Sequence, residues 1–159
     1  MKIRYLQEKD ILKVMKLYDL VWPVESKRHL KAYYKNRMEQ KQGFVAVEKK
    51  EIIGVLTYSK VFYAGFPFID AVIVDKEHRK KGVATTLIKK FEDFWKKKKA
   101  RRVYSTVEPD NKASIKMNKA LGWKKIGYWE HVWNENEKEI IFSKKLRQGL
   151  QKHSHISRF

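Results

Sequence analysis

Cysteine is absent from the 159-residue chain, which excludes disulfides, thiolate metal sites, iron-sulfur clusters and a cysteine nucleophile. Long apolar runs are absent as well. The longest, Val61 to Ile69, is interrupted by Gly65 and Pro67 and falls far short of the ~20 residues that span a bilayer. Met1 to Asp10 is charged throughout and has no apolar segment of a secretory signal, so the protein is expected in the cytoplasm. Glycine and proline are few, at 7 and 3, which argues against collagen-like and low-complexity chains. Acids are outnumbered: 18 Asp and Glu face 37 Lys and Arg, for a formal net charge of +19. Such a field gathers phosphates, acidic proteins or nucleic acid at low salt, and it names only a class of partner.

What is present suffices for one packed core. A content of 43% hydrophobic and 13% aromatic residues in a chain of this length predicts a single domain over 1–146, followed by a basic, loosely ordered tail over 147–159. The densest cationic clusters are Lys89-Lys90, Lys96 to Lys99 with Arg101-Arg102, Lys124-Lys125, and Lys144-Lys145 with Arg147. Each adjoins an apolar pattern. A solvated helix face and a polyanion-binding surface are both compatible with them.

Residues 2 to 6 read as a strand, and the apolar positions from Ile11 to Trp22 recur at helical spacing until Pro23 stops them. Ser26 is a suitable N-cap for a second helix that presents Leu30, Tyr33, Tyr34, Arg37 and Met38 on one side, with Gly43 at its exit. Phe44 to Glu48 and Ile52 to Phe62 form a hairpin around Lys49-Lys50-Glu51, and a turn over Tyr63 to Pro67 leads into a strand from Phe68 to Val74. The period then changes. Val83, Leu87, Ile88, Phe91, Phe94 and Trp95 make one stripe, with Glu92 and the lysines mostly off it. Arg102 to Val107 is a strand, Lys112 to Leu121 a helix capped by Asn111 and closed by Gly122, and Trp123 to Trp133 pairs with Glu139 to Leu146. The expected order is β-αα-βββ-α-β-α-ββ, an α+β fold without repeats.

The segment from Ala71 to Thr86 carries the strongest chemical signal: a buried strand, a charged loop, and Gly82 where the amphipathic helix starts. This arrangement aims main-chain N–H groups and the positive helix end at one place, which suits a pyrophosphate. Gly82 permits close approach, Ala84 keeps the next turn slim, and Thr85 adds a hydroxyl. Neither a Walker loop nor a G-x-G-x-x-G dinucleotide fingerprint is present.

Arg79-x-x-Gly82-x-Ala84 resembles the acetyl-CoA pyrophosphate motif of the GNAT N-acetyltransferases, R/Q-x-x-G-x-G/A. The segment Asn111 to Trp123 is similar to that family's N-x-x-A/S…Y-x-x-x-G-F/W motif, and the resemblance runs from residue 2 to about 146 in the family's order of elements. It implies a mixed, mostly antiparallel sheet of about seven strands with helices on both faces. It also implies that Arg79, Lys80, Lys81, Gly82, Val83, Ala84 and Thr85 hold the pyrophosphate, that Val72, Ile73 and Val74 pair with the pantetheine arm, and that Asn111 and Ser114 flank it. Asn111 also suits plain helix capping. Arg79 either touches phosphate or orients the loop.

The implied reaction is direct attack of a primary amine on the thioester of acetyl-CoA in a ternary complex, since no cysteine is available for an acetyl-enzyme. Donors near Val72 are the expected oxyanion hole. Base candidates are Asp70, reckoned to share strand parity with Phe68, Val72 and Val74, and Glu108, at the end of the next strand; His131 is a weaker third. Asn118 stands where many members of the family carry a proton-donating tyrosine. An amide is no general acid, which leaves hydrogen bonding to sulfur by Asn118, or protonation by water, Tyr104 or Tyr128. Asp19, Glu25, Glu135 and Glu137 are expected near the acceptor.

Two other readings compete. A nucleic-acid-binding module is suggested by the charge, the five Trp and the Gly43 to Val47 strand, and a fold that binds acetyl-CoA without turnover by Asn118. His153 and His155 lack metal-ligand spacing, so no metal is expected. A homodimer is compatible with the sequence.

Overall fold

A computed structural model describes residues 1–22, 27–62, 65–130 and 137–147. The expectations for Pro23, Glu25, Ser26, Tyr63, His131, Trp133, Glu135, His153, His155 and the tail from Gln148 lie outside the described residues. The elements are β1 (Lys2–Tyr5), α1 (Ile11–Asp19), α2 (Lys27–Glu39), β2 (Gly43–Glu48), β3 (Glu51–Phe62), β4 (Phe66–Val74), α3 (Val83–Lys97), β5 (Arg102–Val107), α4 (Lys112–Ala120), β6 (Lys124–Glu130) and β7 (Lys138–Lys145). The expected order of elements holds. No described helix is long and apolar enough to cross a membrane.

The seven strands form one sheet in the order β1-β2-β3-β4-β5-β7-β6. Among the described residues, only β4 and β5 pair in parallel. The central strands are apolar on both faces, so helices must cover both. On one side, Ile11, Val14 and Leu17 of α1 with Leu30 and Tyr34 of α2 pack on Val45, Val55 and Ile73. On the other, Val83, Leu87, Ile88 and Phe91 of α3 pack on Phe44, Leu56, Tyr58 and Ile69. Phe44 is 0% exposed, so the strand that suggested an RNA-recognition motif has no ring free for a base.

Local chemistry adjusts several boundaries. The left-handed residue after α2 is Lys41, at φ 52°, and Gly43 already begins β2. β4 starts at Phe66 rather than Phe68 and takes Pro67 into a stretch where the β3–β4 register is irregular, between Ser59 and Phe62, so its missing N–H breaks no regular ladder. Glu92, expected among the outward charges, is 9% exposed: its Oε1 accepts from Trp123 Nε1 at 2.7 Å, and its Oε2 from Lys144 Nζ at 2.5 Å.

The β2–β3 hairpin turns on Lys49 and Lys50, since Glu48 already pairs with Glu51. Both lysines have positive φ, 48° and 69°, the pattern of a two-residue hairpin turn that favours Asn-Gly. Holding non-glycine residues there costs roughly 1 kcal/mol each. Replacing the pair by Asn-Gly is expected to raise the thermal midpoint by a few degrees in a calorimetric melt. An unchanged or lower midpoint would contradict the strain assigned to this turn.

Two features position the site. Gly54 on β3 lies under the first turn of α3, where an added Cβ would meet Val83 Cγ1 at 3.0 Å and Ile73 O at 3.1 Å. The leading end of α3 is thereby seated on the sheet beside the end of β4. The second feature is the divergence of β4 from β5. Their pairing consists of Phe68 with Tyr104 and Ile69 with Ser105, after which both strands continue without pairing to each other.

Candidate active site

A pocket opens in the V between β4 and β5, floored by Ile88 of α3 and flanked by α4. The phase of the β3–β4 ladder fixes which main-chain groups of β4 face it. Asp75 N donates to Ile53 O at 3.0 Å, which makes Ile73 opposite Val55 a hydrogen-bonded pair and turns its amide toward β3. The amides of Val72 and Val74 then face the gap. Ile73 does not join them: its side chain is buried under α1 and α2.

β4 also carries a bulge. Thr57 pairs with Ala71 and Tyr58 with Ile69, so Asp70 is the extra residue. The bulge overturns the parity expected from the sequence. Val72 and Val74 pack on the α3 side, whereas Asp70 turns to α2. There Asp70 Oδ1 accepts from Ser59 Oγ at 2.8 Å, and Oδ2 lies 3.1 Å from Arg37 Nε and 3.2 Å from the Tyr33 hydroxyl. Burial raises the Asp70 pKa, against the opposing pull of Arg37 and the bonds from Ser59 and Tyr33. Burial pushes the Tyr33 phenol up to about 12, so it stays protonated near neutral pH.

Asp70 and Glu108, the two base candidates, line the same pocket with Val72, Asn111, Ser114 and Asn118. Glu108 is exposed at its mouth and accepts from Trp22 Nε1 at 3.3 Å. Asn111 Oδ1 caps α4 by accepting from Ser114 N at 3.0 Å. Asn118 is 4% exposed, with Nδ2 donating to Ser114 O at 3.0 Å, so one of its two amide hydrogens is engaged within its own helix. Tyr104 and Tyr128 do not line the pocket; Tyr104 packs on Phe66, and Tyr128 lies exposed beside Lys125 on β6.

Trp22 and Glu139, which no sequence pattern singles out, come to the pocket from the turn after α1 and from β7. Of the acids expected near the acceptor, Asp19 pairs with Lys27 at 2.7 Å, and Glu137 is exposed. Three carboxylates, Asp70, Glu108 and Glu139, therefore face one cleft in a strongly cationic molecule.

Beyond the pocket lies the head of α3. Gly82 is its N-cap at φ 79°, a conformation that disfavours any side chain, and Lys80 is left-handed too at φ 59°. From Lys80 to Thr85 no main-chain N–H donates to an acceptor among the described residues; the first intrahelical bond runs from Thr86 N to Gly82 O at 2.9 Å. Six successive donors at the positive end of a 15-residue helix have the chemistry to receive an anion. Arg79 Nε donates back to Val74 O at 3.2 Å, which ties this loop to the end of β4 and supports the orienting role. Among the described residues no group of His, Asp and Glu could hold a metal ion.

The Acetyltransferase (GNAT) family model matches residues 11–123. Solved structures share the fold at low identity. An N-acetyltransferase from Staphylococcus aureus Mu50 is 19% identical with a TM-score of 0.79, covering 92% of this chain and 98% of its own. The ribosomal-protein-S18-alanine N-acetyltransferase from Escherichia coli is 15% identical at 0.78, with 94% and 96% covered. A putative acetyltransferase from Salmonella typhimurium, solved with its cofactor acetyl-CoA, is 17% identical at 0.76, with 93% and 95% covered. None of the curated proteins is significantly similar to the chain in sequence.

Proposed function

The chain belongs to the Acetyltransferase (GNAT) family, and from that premise we propose that it moves the acetyl group of acetyl-CoA to a primary amine by direct attack in a ternary complex. The observation that carries this is the run of six amides without an acceptor among the described residues at the head of α3, in the loop that Arg79 ties to the end of β4, where the amides of Val72 and Val74 edge the gap. These residues fit the donor: main-chain N–H groups from Lys80 to Thr85 suit a pyrophosphate, and the free edge of β4 suits the amide-bearing arm. The bound donor supplies an acyl group activated as a thioester.

The chain's residues supply the rest. Val72 N–H points into the gap and is assigned to the oxyanion that develops on the attacked carbonyl, where a fixed donor contributes a few kcal/mol, or roughly 100-fold in rate. The carboxylates of Asp70, Glu108 and Glu139 draw a cationic amine into the cleft against the net charge of +19. Asp70 has both oxygens engaged by Ser59, Tyr33 and Arg37, which suits it to holding the bulge and the cleft wall. Glu108, with one long bond from Trp22, is better placed to take the amine's proton through a water.

Free-thiol release over a panel of amines tests the reaction. In Glu108→Gln the rate is expected to fall ~100-fold near pH 7. The deficit should shrink as the pH passes the acceptor's own pKa, about 8 for an α-amine and about 10.4 for a lysine, so the profile also reports the acceptor class. An unchanged rate would remove Glu108 from the role of base. Tight acetyl-CoA binding without thiol release for any amine would favour the non-catalytic reading.

A further inference from the structure

Ser105 is the last residue of β5 to pair with β4, opposite Ile69, and so stands at the apex of the V. It is 5% exposed, lines the pocket, and its Oγ has no hydrogen-bond partner among the described residues. A buried hydroxyl left without a partner is costly, about 1–3 kcal/mol, and such a group at a ligand pocket points to a partner that arrives with the ligand.

The direction of the donor, on the acetyl-transfer reading above, decides which atom that is. Its phosphates belong at Lys80 to Thr85, past the C-terminal end of β4, so the arm runs back along Val74 and Val72 toward the apex. The reactive end of the arm therefore lies beside Ser105. The other polar side chain buried there, Asn118, already spends one hydrogen on Ser114 O. We propose that the Ser105 hydroxyl is the hydrogen-bond donor to the leaving sulfur. As the C–N bond forms and the C–S bond breaks, the electron pair of the C–S bond goes to sulfur, and Ser105 Oγ–H stabilises that charge without giving up its proton. Sulfur then takes up, through water, the proton that the attacking nitrogen loses, so atoms and charge balance. The oxyanion is served from the other side of the gap, by Val72.

Ser105→Ala separates this role from a structural one. Turnover is expected to fall ~10- to 100-fold with the Michaelis constant for acetyl-CoA little changed, the range for a hydrogen bond to a charged atom. The melting temperature should hold or rise, because an unpartnered buried hydroxyl is removed. At pH 9, above the ~8.5 of an ordinary thiol, wild type should bind CoA more tightly than desulfo-CoA, and Ser105→Ala should lose that preference ~10-fold while binding desulfo-CoA as before. Ser105→Cys, which keeps a weaker donor, should fall between the two. Wild-type turnover together with an intact CoA preference in Ser105→Ala would overturn the assignment. Failure of wild type to bind either CoA or desulfo-CoA would instead overturn the acetyl-transfer reading on which it rests.

Discussion

Gly82→Glu is expected to weaken acetyl-CoA binding ~100-fold or more while the circular dichroism spectrum stays that of a folded protein. Two effects add at this position. The backbone sits at φ 79°, where a side chain costs roughly 1–2 kcal/mol, and that strain acts on the turn that aims the six amides. Apart from its neighbours in the chain, no described residue places a heavy atom within 4 Å of where a Cβ would stand, so the new carboxylate meets open space and adds its negative charge beside the proposed phosphate site. Gly82→Ala carries the strain without the charge and should lose much less affinity. Calorimetry at one fixed salt concentration gives the comparison, because bulk attraction to a +19 protein falls steeply with salt while the cradle's fixed dipoles change little. Equal affinities for wild type and Gly82→Glu would show that the head of α3 does not hold the donor.

Glu92→Ala is expected to destabilise the protein by roughly 3 kcal/mol, because it leaves the Lys144 ammonium and the Trp123 N–H without their acceptor in a mostly buried site. For a chain of this size that corresponds to a thermal midpoint lower by ~6–12 °C. The pair joins α3 and β7, and Trp123 adds the short segment between α4 and β6, so one buried carboxylate ties three parts of the chain together. Glu92→Leu combined with Lys144→Met should recover much of the loss, since two apolar groups leave no buried charge unmatched. A midpoint within 2 °C of wild type for Glu92→Ala would contradict this account of the pair, the expected shift being several times larger.

The sequence made the α3 side of the candidate site readable and hid most of the opposite side. Gly82, Ala84 and the amphipathic stripe of α3 follow local rules: a glycine is needed at positive φ, and a helix must bury one face. Those rules act within a few residues, so the sequence displays them. The bulge at Asp70 does not show, because Phe68 to Val74 reads as an ordinary alternating strand and the extra residue is defined only by its partner β3. Trp22 and Glu139 reach the cleft from elements far apart in the chain, and their own surroundings give no sign of it. Glu92 misled for a related reason. Its position on α3 looks outward until Trp123 and Lys144 close over it. Ser105 sits at strand parity with Val103 and Val107 and reads as a small core residue; its importance arises from the divergence of two strands, which is a property of the sheet.

The central claim is that main-chain amides, at the head of α3 and along the free edge of β4, are shaped to hold a diphosphate-linked thioester. Titration of 15N-labelled protein with CoA, followed by the amide resonances, tests it most directly. The signals of Lys81 to Thr85, Val72 and Val74 are expected to move together along one saturating curve, with the Ile73 amide, turned to β3, moving far less. Shifts confined to lysine-rich surfaces such as Lys96 to Lys99, with those amides unmoved, would contradict it.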